Sequence, residues 1–547
     1  MKFDGAMIAS DPNPDTRGPG MPFQRPQKDD VIELAKELGI HLTRTEARIF
    51  RSRMLEHIDA MEGFHELRIR EDTLPLRHVR RDPGRRPTPD EDPLNAFIRR
   101  CRVEGAAQGP LKGKTVGLKD HTAVAGVPMT LGSYFLDSYI PEFDATVVTR
   151  LLDAGAIITG KMNMEDFSFG GPGFAGVGDF GRPLNPHDPS YVTGGSSSGS
   201  GAAVAGGYVD LAFGGDQGGS VRIPSAWCGC VGLMATHGLI PHTGVFGLEP
   251  TIDYTGPMTR TVDDLATVLD CVAGRDGYDP RQASVPEDLP NYRDALGKGV
   301  EGLRIGLLEE GFGVRNGEPA VDDAVREAVA VLEQAGATVR SVSVPDHSTA
   351  STAVIPIYLE GAWLAYDTNL GGGLSKSFYP ASLMATFGRA KRSHSHEMPL
   401  NFKVMLLSAR YARERYNGRL YAKAQNLRPI IVRQYLDAFA EVDLLAMPTV
   451  PARAHPYSEP ADHVEAFDRT LFGGELGDDL GLIIHNTAPF NYTGFPSISV
   501  PCAGVAGMPV GLQLTAPFFR EDELIRAAHA YQESVDWESC FPKRSDA

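Results

Sequence analysis

Three short segments of this 547-residue chain carry residue types suited to acyl transfer. Leu211-Ala212-Phe213-Gly214-Gly215-Asp216-Gln217-Gly218-Gly219-Ser220-Val221-Arg222-Ile223-Pro224 reads as an apolar strand running into a glycine turn. At such a turn backbone N–H groups converge beside a serine hydroxyl, so a nucleophile sits next to preorganised donors for a developing oxyanion. Asp216 and Arg222 read as a charged pair that supports the loop. Upstream, Gly113-Lys114-Thr115-Val116-Gly117-Leu118-Lys119-Asp120 is a short strand ending in a lysine. Val116 and Leu118 give that strand a buried character, and desolvation of Lys119 would favour its neutral amine, which is a usable base.

The third segment, Tyr191-Val192-Thr193-Gly194-Gly195-Ser196-Ser197-Ser198-Gly199-Ser200, continues into a helical Ala202-Ala203-Val204-Ala205. Taken alone it is ambiguous. A helix N-terminus here would suit a phosphate in a nucleotide-binding module, but there is no Gly-Lys-Ser/Thr and no Rossmann-type strand and glycine fingerprint ahead of it. Gly195-Ser196-Ser197-Ser198-Gly199 also fits a nucleophile elbow with Ser197 as nucleophile, which requires a preceding strand; Asn185 to Ser190 reads as a loop. Metal chemistry finds little support: Cys228-Gly229-Cys230 has no second ligand pair, and His394-Ser395-His396-Glu397 lacks ligand spacing. No metal or organic cofactor is expected. His237 and His242 read as local hydrogen-bonding residues.

Behind these residues the chain reads as an α/β protein. Apolar runs at Thr115–Leu118, Ala156–Gly160, Leu303–Leu308, Thr338–Val344 and Val442–Pro448 alternate with helical stretches at Ala145–Leu152 and Val321–Gln334, the pattern of βαβ units. Ser497–Val500 and Val510–Leu514 read as a hairpin, followed by a closing helix over Asp522–Gln532. Two amphipathic helices are expected before residue 80, the second capped by Thr45. The polar stretch Arg80–Asp92 reads as a domain boundary. The expected organisation is an N-terminal arm and helical domain over 1–92, with possible homodimerisation, and a core over 93–345. A helical insertion or lid follows over 346–480, and 481–547 completes the core.

The formal net charge of −17 disfavours nucleic acid and anionic membranes as partners, since both would be repelled. Six cysteines are too sparse for a disulfide scaffold. Without a signal-peptide h-region or an apolar run of membrane-spanning length, a cytoplasmic location and a small-molecule substrate are expected.

The three segments together resemble the amidase signature family: a lysine in Gly-Leu-Lys-Asp, the Gly-Gly-Ser-Ser-Ser-Gly-Ser loop, and Asp-x-Gly-Gly-Ser-x-Arg-x-Pro, with Ser196 and Ser220 spaced 24 positions apart. Gly256-Pro257-Met258-Thr259-Arg260, Met447-Pro448-Thr449 and Gly494-Phe495-Pro496 extend the resemblance over most of 95–535. Gly274-Arg275-Asp276-Gly277 and the N-terminal extension look closest to bacterial amidases of nitrile degradation. The resemblance implies an α/β/α core with a mixed central sheet and a triad of Lys119, a cis-configured Ser196 and nucleophilic Ser220. It also implies oxyanion donors among the amides of Gln217, Gly218, Gly219 and Ser220, and substrate contact at Ser168. The implied activity is hydrolysis of an amide; an aryl carbamate or anilide hydrolase shares the machinery, as does the amidotransferase component that works on charged tRNA. His121 and Leu233-Met234-Ala235-Thr236 depart from the family's usual wording near the pocket. Phe167-Ser168-Phe169-Gly170-Gly171, beyond Lys161, and Tyr358, Trp363, Tyr366, Phe378 and Phe387 in the insertion suggest an apolar, aromatic substrate, with part of this set lining the site and the rest packing the core.

Overall fold

The computed structural model describes residues 23–67, 73–136, 139–170, 179–371, 375–457, 459, 465, 480–536 and 539. Residues 1–22 of the expected arm, Gly171, Gly372, Gly373 and Cys540 lie outside them. The chain divides into two units, Met1–Thr73 and Leu74–Ala547.

In the first unit, helices Lys28–Glu37 and Arg44–His65 bury Val31, Ala35 and Ala47. The second begins two residues earlier than its apolar pattern suggests. Thr43, not Thr45, caps it, because Glu46 reaches back to the Thr43 N–H while Thr43 Oγ1 accepts from the Glu46 N–H, closing a capping box. Arg25 pairs with Asp59 and Glu62 on that helix.

The second unit is built on one twelve-stranded sheet. Its first strands are β1 (Arg81–Arg85), β2 (Phe97–Glu104), β3 (Thr115–Lys119), β4 (Ile157–Met162), β5 (Leu211–Asp216), β6 (Val231–Met234) and β7 (Tyr254–Thr259). The rest are β8 (Arg304–Leu308), β9 (Thr338–Val342), β10 (Leu444–Pro448), β11 (Ser497–Val505) and β12 (Met508–Thr515). They lie in the order β1-β2-β4-β3-β5-β7-β6-β11-β12-β10-β8-β9. The sheet is mixed: β3 runs parallel to β4 and β5, and β8 to β9 and β10, while the other pairs are antiparallel. The fold is α/β, as the alternation of patterns predicts.

Two of the expected boundaries move. Residue 92 is not a domain edge, because Arg81–Arg85 pairs with β2 and so closes the sheet's first edge; the division falls at Thr73/Leu74. The helical stretch after residue 346 comprises His347–Asp367, Ala381–Ser393, Leu400–Tyr416 and Arg419–Glu441. It ends well short of 480, since β10 sits inside the sheet between β12 and β8. The C-terminal hairpin and closing helix, Glu521–Ser534, match expectation.

Strand alternation assigns each side chain to a face. On β5, Leu211 and Phe213 enter the large core cluster that includes Val116, Leu118 and the helices Thr146–Asp153, Val262–Val272 and Pro319–Gln334. Ala212 enters a separate cluster with Met162 and the helix Ser198–Ala205. Lys119 lies two residues from Gly117 and therefore shares its face, opposite to Val116 and Leu118. A Cβ on Gly117 would stand 2.6 Å from Met162 Sδ, so this face of β3 is closely packed. The same alternation puts Asp216 on the face of Ala212. Gly214 lies between them, and a Cβ there would come within 2.6 Å of Ser197 Oγ, so the glycine lets the serine-rich turn rest on β5.

At the end of β3, Asp120 pairs with Lys161 of β4 at 2.8 Å, both side chains without solvent exposure. Asp120 also accepts from the Thr130 N–H and Oγ1 at 2.7 and 2.6 Å. Removing one partner of a buried ion pair strands the other charge in low dielectric, at about 3–5 kcal/mol. Lys161→Met is expected to lower the unfolding free energy by that amount, read from urea denaturation; a change below about 1 kcal/mol would mean that Asp120 is held by Thr130 alone.

Candidate active site

The end of β3 delivers Lys119 into the interior. Its side chain is fully buried, and Nζ lies 2.7 Å from Ser196 Oγ in a hydrogen bond. Burial lowers its pKa to about 7; the opposing pull of the Asp216 and Glu165 carboxyls is weaker. A large fraction of Lys119 is therefore a neutral amine near neutral pH.

Ser196 follows a cis Gly195–Ser196 peptide bond, as the resemblance implies. Its carbonyl accepts from the Glu165 N–H at 3.1 Å, which fastens the serine turn to the segment after β4. Its neighbour Ser197 is committed elsewhere. Ser197 Oγ donates to Gly215 O at 3.1 Å and accepts from the Gly215 N–H at 3.2 Å, so it ties the turn to β5. Among the described residues no strand leads into Ser197, and the elbow reading loses its structural requirement.

Ser220 stands just ahead of the helix Arg222–Cys228, and its carbonyl accepts from the Ser197 N–H at 3.3 Å. Lys119 and Ser196 have no exposure, whereas Ser220 retains 4%. Of the three, Ser220 alone retains any exposure.

The loop before Ser220 is shaped by Asp216. Its carboxylate accepts from the N–H groups of Gly219 at 2.7 Å and Val221 at 3.0 Å. It also meets Arg222 Nε and Nη2, each at 3.1 Å. Burial alone would raise the Asp216 pKa, but the Arg222 charge, hydrogen bonds from Arg222 and Asn491, and the Val221 amide bring it below the usual carboxylate value. Asp216 and Arg222 thus support the loop as their spacing suggests. One expectation is corrected: the Gly219 N–H is already taken by Asp216, so of the four loop amides only those of Gln217, Gly218 and Ser220 remain for an oxyanion.

Residues far along the chain complete this support. Arg222 reaches Gln513 Oε1 on β12 at 3.0 Å and Asn491 Oδ1 at 2.7 Å. Asn491 Nδ2 donates to Asp216 Oδ1 and to its carbonyl at 2.8 and 3.0 Å. Thr487 Oγ1 donates to Gly218 O at 2.6 Å. Sequence reasoning missed Thr487, Asn491 and Gln513. Asn491 lies only three residues before the Gly494-Phe495-Pro496 motif, and that proximity is the one signal that marks it.

Ser168 lies in the turn Asp166–Ser168, with φ +63°, and is buried. Its Oγ has no hydrogen-bond partner among the described residues, and neither do both amide atoms of Gln217 and His121 Nε2. Around the turn, Phe167 stacks on Phe402 with centroids 4.9 Å apart, and Phe169 meets Phe402 at 5.4 Å and Tyr358 at 5.8 Å. Asn401 Nδ2 holds the turn by donating to the carbonyls of Asp166 and Phe169. Phe387 is core, packed on Phe135. Trp363 faces Arg410 and Arg413. Phe378 lines a cavity. Glu165, also missed from sequence, is a fully buried carboxyl whose pKa burial raises to about 8.

Comparison with known proteins agrees with this geometry. The Amidase family pattern matches residues 96–525. An enantioselective amidase of Rhodococcus rhodochrous is 41% identical over 453 residues, which cover 82% of this chain and 85% of the relative. A glutamyl-tRNA(Gln) amidotransferase subunit from Natronomonas pharaonis is 38% identical, over 80% of this chain and 99% of its own. Among solved structures, the peptide amidase of Stenotrophomonas maltophilia superposes with a TM-score of 0.64 at 28% identity, covering 80% of this chain and 89% of that one. The chain belongs to the amidase signature family.

Proposed function

We propose that the protein hydrolyses a small carboxamide with an apolar, aromatic body, through an acyl-enzyme on Ser220. The observation that carries this reading is the 2.7 Å contact between the fully buried Lys119 amine and Ser196 Oγ, beside a loop that ends in the one partly open serine. Neutral Lys119 takes the Ser196 hydroxyl proton, Ser196 takes the proton of Ser220, and Ser220 Oγ bonds to the amide carbon. The oxyanion is met by the amides of Gln217, Gly218 and Ser220. On collapse the C–N bond breaks, and the leaving nitrogen receives a proton from Ser196, which Lys119 reprotonates. Water then adds to the acyl-enzyme by the same relay, releasing the acid and regenerating Ser220.

An apolar substrate is favoured by what borders the loop. A Cβ on Gly218 would lie 3.9 Å from Ile484 Cγ2, and the Ser168 turn is walled by Phe167, Phe402 and Phe246. A substrate carrying buried charges would need ionic partners there, and the nearby ions Asp216 and Arg222 already satisfy each other. This favours a free amidase over the amidotransferase reading raised by the Natronomonas relative.

Four measurements test the reading. Ser220→Ala is expected to lower kcat on the order of 10³-fold or more, while kcat/KM of the native enzyme falls tenfold per pH unit below about 7, as Lys119 gains a proton. A profile that stays flat down to pH 5 would remove Lys119 as the base. Gly219→Ala is expected to cost about 10²-fold in kcat/KM, because φ is +135° and the new Cβ would stand 2.4 Å from Thr487 Oγ1, displacing the loop; activity within threefold of native would separate the loop from the chemistry. On a panel of benzamide, acetanilide, phenyl carbamate, glutamine and acetamide, an aryl amide is expected to exceed acetamide by about tenfold or more in kcat/KM, if the ring contributes about 1.4 kcal/mol. Preference for glutamine would shift the assignment to the amidotransferase.

A further inference from the structure

A cavity of about 120 Å³ lies outside the triad, walled by Met129, Tyr139, Phe143, Phe246 and Phe378, with His242 and Asp253 at one end. An apolar cavity of about 150 Å³ accommodates benzene, so this space suits one ring and not two. Phe143 and Phe378 meet edge to face with centroids 4.9 Å apart, which builds an aromatic wall.

The polar end is unfinished. His242 is 8% exposed, and its Nε2 has no hydrogen-bond partner among the described residues. Burial holds its pKa well below the ordinary histidine value, so the ring is neutral, with one nitrogen able to donate and the other to accept. Asp253 Oδ1 accepts from the Leu248 N–H at 3.0 Å. A Cβ on Gly247 would lie 2.5 Å from Asp253 Oδ2 and 3.3 Å from His242 Cε1, so the missing side chain lets both residues approach the same stretch of cavity wall. Arg281 also lines the cavity, with its guanidinium paired to Asp279 at 2.5 Å and donating to the Asp253 carbonyl at 3.0 Å.

The cavity borders both the reaction loop and the end of β3. The Asp253 carboxyl lies near the Gln217 side chain, and the Phe246 N–H donates to His121 O at 2.8 Å, two residues beyond Lys119.

The geometry points to this cavity as the subsite for the substrate's aromatic ring, with His242 and Asp253 reading a hydroxyl or amino substituent on that ring. The inference rests on the aryl-amide reading above and adds the ring's substituent and its partners. A hydroxyl donates to one group and accepts from the other; an unsubstituted ring leaves His242 Nε2 buried without a partner, which costs affinity.

Two measurements decide it. The ratio of kcat/KM for 4-hydroxyacetanilide over acetanilide, and for 4-hydroxybenzamide over benzamide, is taken in the native enzyme and in His242→Phe. A ratio within one preparation is insensitive to how much of the variant folds. The larger native ratio is expected to fall about tenfold in the variant; a fall of less than threefold in both ratios overturns the assignment. Phenol is also expected to inhibit the native enzyme competitively and more strongly than toluene, and non-competitive inhibition or no preference for phenol overturns it. If the native enzyme prefers acetamide to every aryl amide, the aryl reading of the reaction fails, and phenol inhibition alone then decides the cavity.

Discussion

Everything at this site depends on keeping Lys119 out of water while giving its amine nothing ionic to bind. A lysine transferred into low dielectric loses its hydration, and the cationic form bears that cost, so the pKa drops unless a carboxylate restores it. The fold meets this condition by giving the nearby carboxylates other business. Asp120, adjacent in sequence, is bound to Lys161; Asp216 is bound to Arg222, Asn491 and loop amides. Glu165 is itself raised to about 8 by burial, which reduces its negative charge near neutral pH. What remains for Lys119 is a hydroxyl at 2.7 Å. Had any of these acids been left ionised and unpaired beside the amine, Lys119 would be a permanent cation and useless as a base.

The same constraint explains why the sheet must be continuous across so much of the sequence. The acid that would otherwise disturb Lys119 is neutralised by Arg222, and Arg222 is a fully buried cation that needs more than one partner. Those partners come from β12 and from the segment before β11, Gln513 and Asn491. Because β11 pairs with both β6 and β12, the C-terminal hairpin sits beside the strands that carry the loop. A site built only from 113–222 would leave Arg222 half-satisfied, and the loop that it braces would lose its fixed set of amides.

These facts mark how far the sequence is legible. The segments that carry Lys119, Ser196 and Ser220, the parallel β3, β4 and β5, and the closing hairpin are readable because period-two patterning and dense local motifs act over a few residues. Asp216 and Arg222 are readable as a pair since they are six apart. Thr487, Asn491 and Gln513 are not, because their roles come from contacts across some 270 to 290 residues, and a lone Asn or Gln has no local pattern. Arg81–Arg85 misleads for a related reason: an edge strand needs only one neighbour and exposes much of its surface, so its composition is that of a polar linker. The commitment of the Gly219 amide to Asp216 is a matter of loop geometry, to which Gly-Gly-Ser is silent. His242 reads as a local hydrogen-bonding residue, and one of its nitrogens finds no partner among the described residues.

The placement of the parts also explains how one machinery accommodates different substrates. Lys119, Ser196 and Ser220 stand on or beside strands and are held by buried, multiply bonded groups, where small shifts are costly. On the proposed reading, the surroundings that a substrate's body would meet come from elsewhere: residues 123–136, 139–143 and 242–253, the helices between His347 and Tyr416, and Ile484. None of these supplies a hydrogen-bond partner of the Asp216 carboxylate, which is held by Gly219, Val221, Arg222 and Asn491. Substitutions there change the shape and polarity of those surroundings and leave the Lys119–Ser196 contact in place. Relatives that act on quite different molecules are then to be expected on the same fold, since function resides in the site and not in the architecture.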